Sequence, residues 1–411
     1  MRLPGAVIRG ELLALALGIA ALPAPAQVAA DNSVATQVLR IVRITPAPGD
    51  TAAPVGSVIH VLFNAPVPLE LISSEAMRLL RGGTPVTGPP AYNGADRRDL
   101  VLVVVPQLSE QTTYQLALAP PLAPAETISF TTGRSVPAVS SGSWHTAARM
   151  PTRRWGMGAG VIDGKLYVVG GIDASGNILG TLEAYDPATD RWEALPPMPT
   201  PRYWLSAGVV NGKLYAIGGT NDQGDLATLE VYDPRTRQWA PRAPGRSRHR
   251  FPAAVGIGAL LFVDGDGDHN VTEVYDPLMD SWTMRTPPPA ADNSDDEILD
   301  GVVYDVGAVV QAYDPATDRW SFRTGMNKVR VGQITRAIRG IVYSAGGNDN
   351  TKDFFMSGVE AYDPRTDRWT LKASMPTGRA YPAGGVIDCK LYVAGGFDQA
   401  GATSVLEVFT P

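Results

Sequence analysis

The 411-residue sequence predicts an all-β protein: an array of small repeated sheets preceded by a separate β unit. Three observations carry this. A phrase recurs through the last two-thirds of the chain, first as Leu166-Tyr167-Val168-Val169-Gly170-Gly171, then Leu182-Glu183-Ala184-Tyr185-Asp186-Pro187, then Trp192. Tyr-Asp-Pro returns at 232, 275, 313 and 362, each time with a tryptophan seven residues after the tyrosine, at Trp239, Trp282, Trp320 and Trp369. The tyrosines lie 38 to 49 residues apart, the period of an array in which each unit is one sheet. In front of the array, residues 37 to 134 alternate apolar and polar over short runs, as half-buried strands do.

The repeated phrase resembles the Kelch repeat, marked by a hydrophobic run ending in Gly-Gly, a tyrosine and a downstream tryptophan. The resemblance covers about residues 144 to 411 and implies a β-propeller of four-stranded blades. The residues make sense of it. Gly-Gly ends an inner strand where backbones crowd near the axis. Asp163-Gly164 and Asn211-Gly212 are two-residue hairpin turns. The aromatics fill the space between blades.

Counting units gives six, the last truncated. Gly395-Gly396 and Leu406-Glu407-Val408-Phe409 are present, but the chain stops at Pro411 before any tryptophan. A matching piece stands in front of the first unit. Trp144 precedes Met150-Pro151-Thr152 as Trp192 precedes Met198-Pro199-Thr200. The segment around Trp144 is therefore expected to close the ring beside Phe409, which removes open sheet edges.

At the front, Arg2 and Arg9 precede an apolar run from Leu12 to Leu22, and Ala24-Pro25-Ala26 gives a small-residue cleavage pattern. Residues 1–26 read as a signal peptide whose apolar run is too short to span a membrane, with 27–36 as linker. The expectation is an exported protein, periplasmic, extracellular or at the cell surface. In residues 37–134, Ile59-x-Val61-x-Phe63, Tyr114-x-Leu116-x-Leu118 and Ile128-x-Phe130 predict a small sandwich. Together with Thr45-Pro46, Phe63-Asn64-Ala65-Pro66-Val67 and Phe130-Thr131-Thr132-Gly133, this looks like the bacterial immunoglobulin-like domains of exported proteins. Residues 135–143 read as a second linker, and 144–411 as the propeller. The fold class is thus a six-bladed Kelch β-propeller preceded by an immunoglobulin-like β-sandwich.

A net charge of −6 argues against nucleic acid as a partner. The single cysteine, Cys389, excludes an internal disulfide and stands where the first two units have a turn glycine. No metal-ligand spacing emerges from the four histidines, and no cofactor is expected.

The tenth residue after each tryptophan falls in the loop entering an inner strand. Its occupants are Arg154, Arg202, His249, Asp292, Arg330 and Arg379. Four arginines and a histidine are thus expected to ring one mouth of the channel. Kelch domains of eukaryotic substrate adaptors bind acidic peptides through arginines at the start of the blade. The resemblance implies a carboxylate-bearing ligand, protein segment or carbohydrate, held by planar guanidinium groups. Trp155, Tyr203, Trp204, Phe251 and Tyr381 could add flat contact surface. The competing reading is that the arginines tie neighbouring blades together and the aromatics are core.

One unit breaks the pattern with an acidic loop: Asp292, Asp295, Asp296, Glu297 and Asp300. Asp264-Gly265-Asp266-Gly267-Asp268 begins like a calcium loop, but His269 and Tyr275 stand where a glycine and a bidentate glutamate belong. Phe354-Phe355-Met356 lies in the loop after Gly346-Gly347. Copper radical oxidases of the Kelch type need paired histidines, tyrosines and a cross-linked cysteine that this chain does not supply. The exported six-bladed Kelch epimerase of sialic acid, which uses general acid/base residues and no cofactor, is the enzymatic alternative. Asp295, Asp296, Glu297 and His249 are the nearest candidates for its proton transfers. The principal expectation is a binding protein acting at the arginine-bearing face.

Overall fold

A computed structural model describes residues 39–411 apart from 47, 49–58, 88–89, 93–96, 103–107, 110, 121, 133–140, 266–270, 291–294, 308 and 349–354. The expected signal peptide and the linker after it lie outside the described residues, as does most of the second linker.

Residues 143–411 form six four-stranded antiparallel sheets in a propeller-like arrangement, all among the described residues. The inner strands are Gly158–Ile162, Ser206–Val210, Pro252–Ile257, Asp295–Leu299, Val331–Ile338 and Ala383–Ile387, for sheets 1 to 6 in turn. In five of the six sheets the inner strand turns back through a two-residue hairpin with both φ angles positive, as at Asn211 (51°) and Gly212 (69°); in sheet 3 only Gly258 of the turn has a positive φ. That conformation matches the right-handed twist of the flanking strands. The sixth turn holds Cys389 at φ 57°, where sheets 1, 2, 4 and 5 have glycine.

A regular aromatic contact joins successive sheets. The third-strand tyrosine of each sheet packs on the second-strand aromatic of the sheet before it: Tyr232 on Tyr167, Tyr275 on Tyr215, Tyr313 on Phe262 and Tyr362 on Tyr304. Phe409 on Tyr343 and Tyr185 on Tyr392 complete the circuit, with centroids 5.7 and 5.9 Å apart. The outer-strand tryptophans act as pegs. Trp192 Nε1 donates to the Ala148 carbonyl at 2.8 Å, and Trp282, Trp320 and Trp369 repeat the bond to Ala243, Thr286 and Thr324. The tyrosine hydroxyl in the same sheet donates to an aspartate five residues on, as Tyr185 does to Asp190, and that carboxylate accepts the Ala148 amide.

Sheet 6 takes its outer strand, Ser143–Ala147, from the front of the array. Trp144 lies opposite Phe409 in register, the two rings 5.1 Å apart.

The residues before the array form two further four-stranded sheets. One contains Ile41–Thr45, Ile59–Phe63, Asp99–Leu102 and Ala91–Tyr92; the other Thr84–Pro85, Met77–Arg81, Thr113–Leu118 and Glu126–Thr131. Alternate residues Ile59, Val61, Phe63, Leu100, Leu102, Tyr114 and Leu116 enter one shared core. This is the pattern of a sheet with one face covered.

Candidate functional site

The segment leading into each inner strand carries the expected arginines, but it does not present them to solvent. Arg154, Arg202, Arg330 and Arg379 are at most 1% exposed. Each is consumed by a glutamate on the third strand of its own sheet: Arg154 to Glu183 at 2.5 Å, Arg202 to Glu230 at 2.6 Å, Arg330 to Glu360 and Arg379 to Glu407 at 2.5 Å. A second guanidinium nitrogen donates to a second-strand carbonyl, for example Arg202 Nη2 to Ala216 at 3.0 Å. The threonine of Met-Pro-Thr donates to the same glutamate, as Thr200 does to Glu230. Burial pulls the Arg154, Arg202 and Arg379 guanidinium groups below their ordinary range, and the facing glutamates oppose it. The expected ligand-binding arginines are therefore internal ties, and a ligand at the mouth does not meet them.

His249 occupies the same place in sheet 3 and is also fully buried. Its shorter side chain leaves Nε2 3.9 Å from Glu273 Oε1. Burial lowers its pKa, which the Glu273 charge partly offsets. In sheet 4 the matching residue, Asp292, lies outside the described residues. There the glutamate is replaced by Gln311, whose side chain binds both the amide and the carbonyl of Ala290. In sheet 4 the arginine and the carboxylate it would neutralise are both replaced, whereas sheet 3 keeps the carboxylate, Glu273, opposite His249.

The residues two positions further on make the mouth. Gly156, Trp204, Phe251, Gly332 and Tyr381 all have φ between 53° and 67°. Gly156 and Gly332 adopt that region without strain, whereas a bulky aromatic there is a genuine outlier. Strain of this kind costs on the order of 1–3 kcal/mol per residue and persists where surrounding structure over-determines it. Here a belt of backbone bonds does so. Tyr381 N donates to Gly332 O, Gly156 N to Tyr381 O, Trp204 N to Gly156 O and Phe251 N to Trp204 O, running from sheet 5 through 6, 1, 2 and 3.

The aromatic side chains pack side by side around the opening. Trp204 lies 4.2 Å from Phe251 and 4.5 Å from Tyr203, and Phe251 lies 5.9 Å from Tyr381. Trp204, Phe251 and Tyr381 line the cavity at the mouth; the expected Trp155 and Tyr203 stand behind Trp204 in edge and tilted contacts and do not line it. The cavity gives about 100 Å³ to the centres of water molecules, room for several waters and so for one small ligand. At the rim, exposed Arg250 lies over the Trp204 ring at 4.4 Å, close enough for a cation–π contact.

The expected acidic loop is a strand. Asp295–Leu299 is the inner strand of sheet 4, which points Asp295 and Glu297 the same way and Asp296 the other. Asp295 Oδ2 accepts from Arg336 Nη1 at 2.9 Å and from the Thr335 amide at 2.6 Å. Glu297 Oε2 lies 3.8 Å from Arg336 Nε. Asp295 lines the aromatic cavity, and Glu297 lines a second cavity beyond Arg336, walled by Gly160, Gly208, Gly256 and Gly385. Arg336 borders both. Burial raises the Asp295 carboxyl against the pull of Arg336. Burial likewise pushes Glu297 up to about 7, Arg336 opposing and the Asp295 charge adding.

Asp296 turns instead toward sheet 3, where Asp264, Asp296 and Asp305, all buried, bring carboxylate oxygens within 4.8 Å of one another. Thr272 Oγ1 and Gln311 Nε2 donate to Asp264 and Asp305 at 3.3 and 3.0 Å. Oxygen donors gathered this closely are of the kind that suits a hard cation. Of the remaining expectations, Phe355 folds against Phe397 at 5.6 Å, while Phe354 and residues 266–270 lie outside the described residues.

Sequence reasoning missed Arg336, which has no repeat partner and meets its carboxylates on the neighbouring inner strand of sheet 4. It grouped Trp204 with aromatics behind the arginines and did not show the left-handed register that Trp204 shares with Gly156 and Gly332. Aligning those two glycines with the aromatics was the signal.

Comparison with known proteins agrees with this architecture. The Kelch motif matches residues 153–199, 201–245 and 335–376. No curated protein matches the sequence significantly. Among solved structures, that of YjhT is similar with a TM-score of 0.56 at 15% identity, covering 64% of this chain and 97% of its own. The chain thus carries Kelch-repeat motifs in a propeller-type arrangement of four-stranded sheets.

Proposed function

We propose that the protein is an exported six-bladed Kelch propeller behind an immunoglobulin-like domain, and that its aromatic mouth takes a small carbohydrate and catalyses proton transfer on it without a cofactor. One observation carries this reading: strained Trp204, Phe251 and Tyr381 surround a cavity that holds one carboxylate, Asp295, fixed by Arg336 and the Thr335 amide. Flat aromatic faces suit the C–H faces of a sugar ring. The bonds from Arg336 and the Thr335 amide both fall on Asp295 Oδ2, which makes Oδ1 the atom to exchange a proton with a ligand hydroxyl. A carboxyl with a raised pKa can take the proton of an anomeric hydroxyl and return it, as ring opening and closing require.

A second reading, binding of an acidic ligand without turnover, is favoured by Arg250. Its guanidinium is exposed at the rim and stacked on Trp204, and it replaces the buried arginines as the cation a carboxylate would meet.

Anomer exchange of a panel of neutral and acidic monosaccharides, followed by saturation-transfer NMR, tests both. The first reading expects accelerated exchange that Asp295→Asn abolishes. Trp204→Gly, which keeps the left-handed backbone, should lose ligand binding while remaining folded. Binding of acidic sugars only, lost in Arg250→Ala and without accelerated exchange, selects the second. Neither binding nor exchange across the panel refutes both.

A further inference from the structure

We infer that the N-terminal two-sheet unit is a buttress seated on sheet 4, and that it holds in place the segment delivering Asp295 to the channel. On the strand Asp99–Leu102, Leu100 and Leu102 enter the unit's own core. Val101, between them, points away from that core, yet it is only 1% exposed. It is covered by Val309 and Phe322 of the propeller, with Ala290 packed alongside.

The seat is peculiar to sheet 4. Phe322 stands two residues after Trp320, on the outer strand. The matching residues of sheets 1, 2 and 3 are Ala194, Pro241 and Met284, and that of sheet 6 is Thr146; all are exposed. In sheet 5 it is Leu371, half-buried. Phe322 alone is an aromatic, and it is 5% exposed.

What the seat touches gives it a role. Ala290 belongs to the segment leading into the inner strand of sheet 4, five residues before Asp295. The other sheets fix this segment with a buried ion pair to a third-strand glutamate, or in sheet 3 with His249 against Glu273. Among the described residues, sheet 4 holds Ala290 through the neutral Gln311 bonds, with Val101, Val309 and Phe322 as apolar cover. The contact is small, and small interfaces between domains ordinarily leave them mobile. The short connection between Thr132 and Ser141 changes that balance, because a short tether keeps the effective concentration in the millimolar range. A weak seat is then occupied most of the time.

The test uses the full chain and does not depend on any ligand. Val101→Glu places a charge on the seat without touching the core of its own unit; Phe322→Ser removes the other half. Small-angle scattering should show a larger radius of gyration for both variants. Amide exchange should accelerate across Ala290 and Asp295–Leu299 while sheets 1 and 2 keep their protection. Leu371→Ser, the same position on sheet 5, should change neither. Unaltered scattering and exchange in Val101→Glu would overturn the inference. Altered scattering with unaltered exchange at Asp295–Leu299 would overturn the buttress role and leave only a contact.

Discussion

Arg202 and Glu230 meet at 2.6 Å in a place where neither keeps appreciable contact with water. The pair joins the segment before an inner strand to the third strand of the same sheet, and Thr200 and the Ala216 carbonyl complete its bonds. Four sheets repeat it.

Removing one partner strands the other charge. Arg202→Ala should therefore lower stability by about 3–5 kcal/mol. The paired replacement Arg202→Met with Glu230→Leu should cost far less, because no unmatched charge remains. Urea unfolding of both decides this, and a single variant as stable as the parent would show that the pair contributes nothing.

The history of those arginines shows what the sequence could disclose. Their spacing from each tryptophan was plain, but a residue that recurs in four of the six sheets serves a need those sheets share. Individuality lies two positions later, where glycine alternates with tryptophan, phenylalanine and tyrosine. That the aromatics share the glycines' backbone conformation is set by bonds between sheets. Repeat periodicity likewise exposed six sheets and the stray Trp144, since both are local patterns. Arg336 against Asp295 was invisible, because 41 residues separate them and only the packing of sheet 5 on sheet 4 brings them together.

Trp144 covers Phe409 and donates its indole N–H to the Ala373 carbonyl at 2.8 Å. Trp144→Ala should cost about 3 kcal/mol, the lower end for loss of a packed aromatic, since the ring is half-buried. Denaturant midpoints measure it. An unchanged midpoint would mean that the seam contributes nothing to stability.

Cys389 occupies a left-handed turn position that glycine fills in most of the other sheets. Left-handed backbone costs a side-chain-bearing residue roughly 1–2 kcal/mol. Cys389→Gly should raise the thermal midpoint, by about 1 kcal/mol of stability once the added freedom of the unfolded chain is allowed for. A lower midpoint would show that packing of the thiol outweighs the turn.

Glu297 gives a pH signature. Its folded pKa, about 7, lies above the ordinary 4.5. The folded protein then binds this proton more tightly than the unfolded chain does, so its contribution is greatest below pH 4.5 and declines as pH rises to 7. Measured against Glu297→Gln at each pH, the parent should lose relative stability across that window and run parallel above it. Parallel curves from pH 4 to 8 would place the carboxyl at its ordinary pKa.

The strand Ser143–Ala147 lies beside Leu406–Thr410, the last strand of the chain. During synthesis the earlier of these partners leaves the ribosome more than 250 residues before the later one. Sheet 6 cannot complete itself until Leu406–Thr410 has been made, whatever the other sheets have achieved by then. Until that moment Trp144 has no partner and the circle has two raw edges, so the molecule passes through a stage in which it is nearly finished and most prone to pair with another copy of itself.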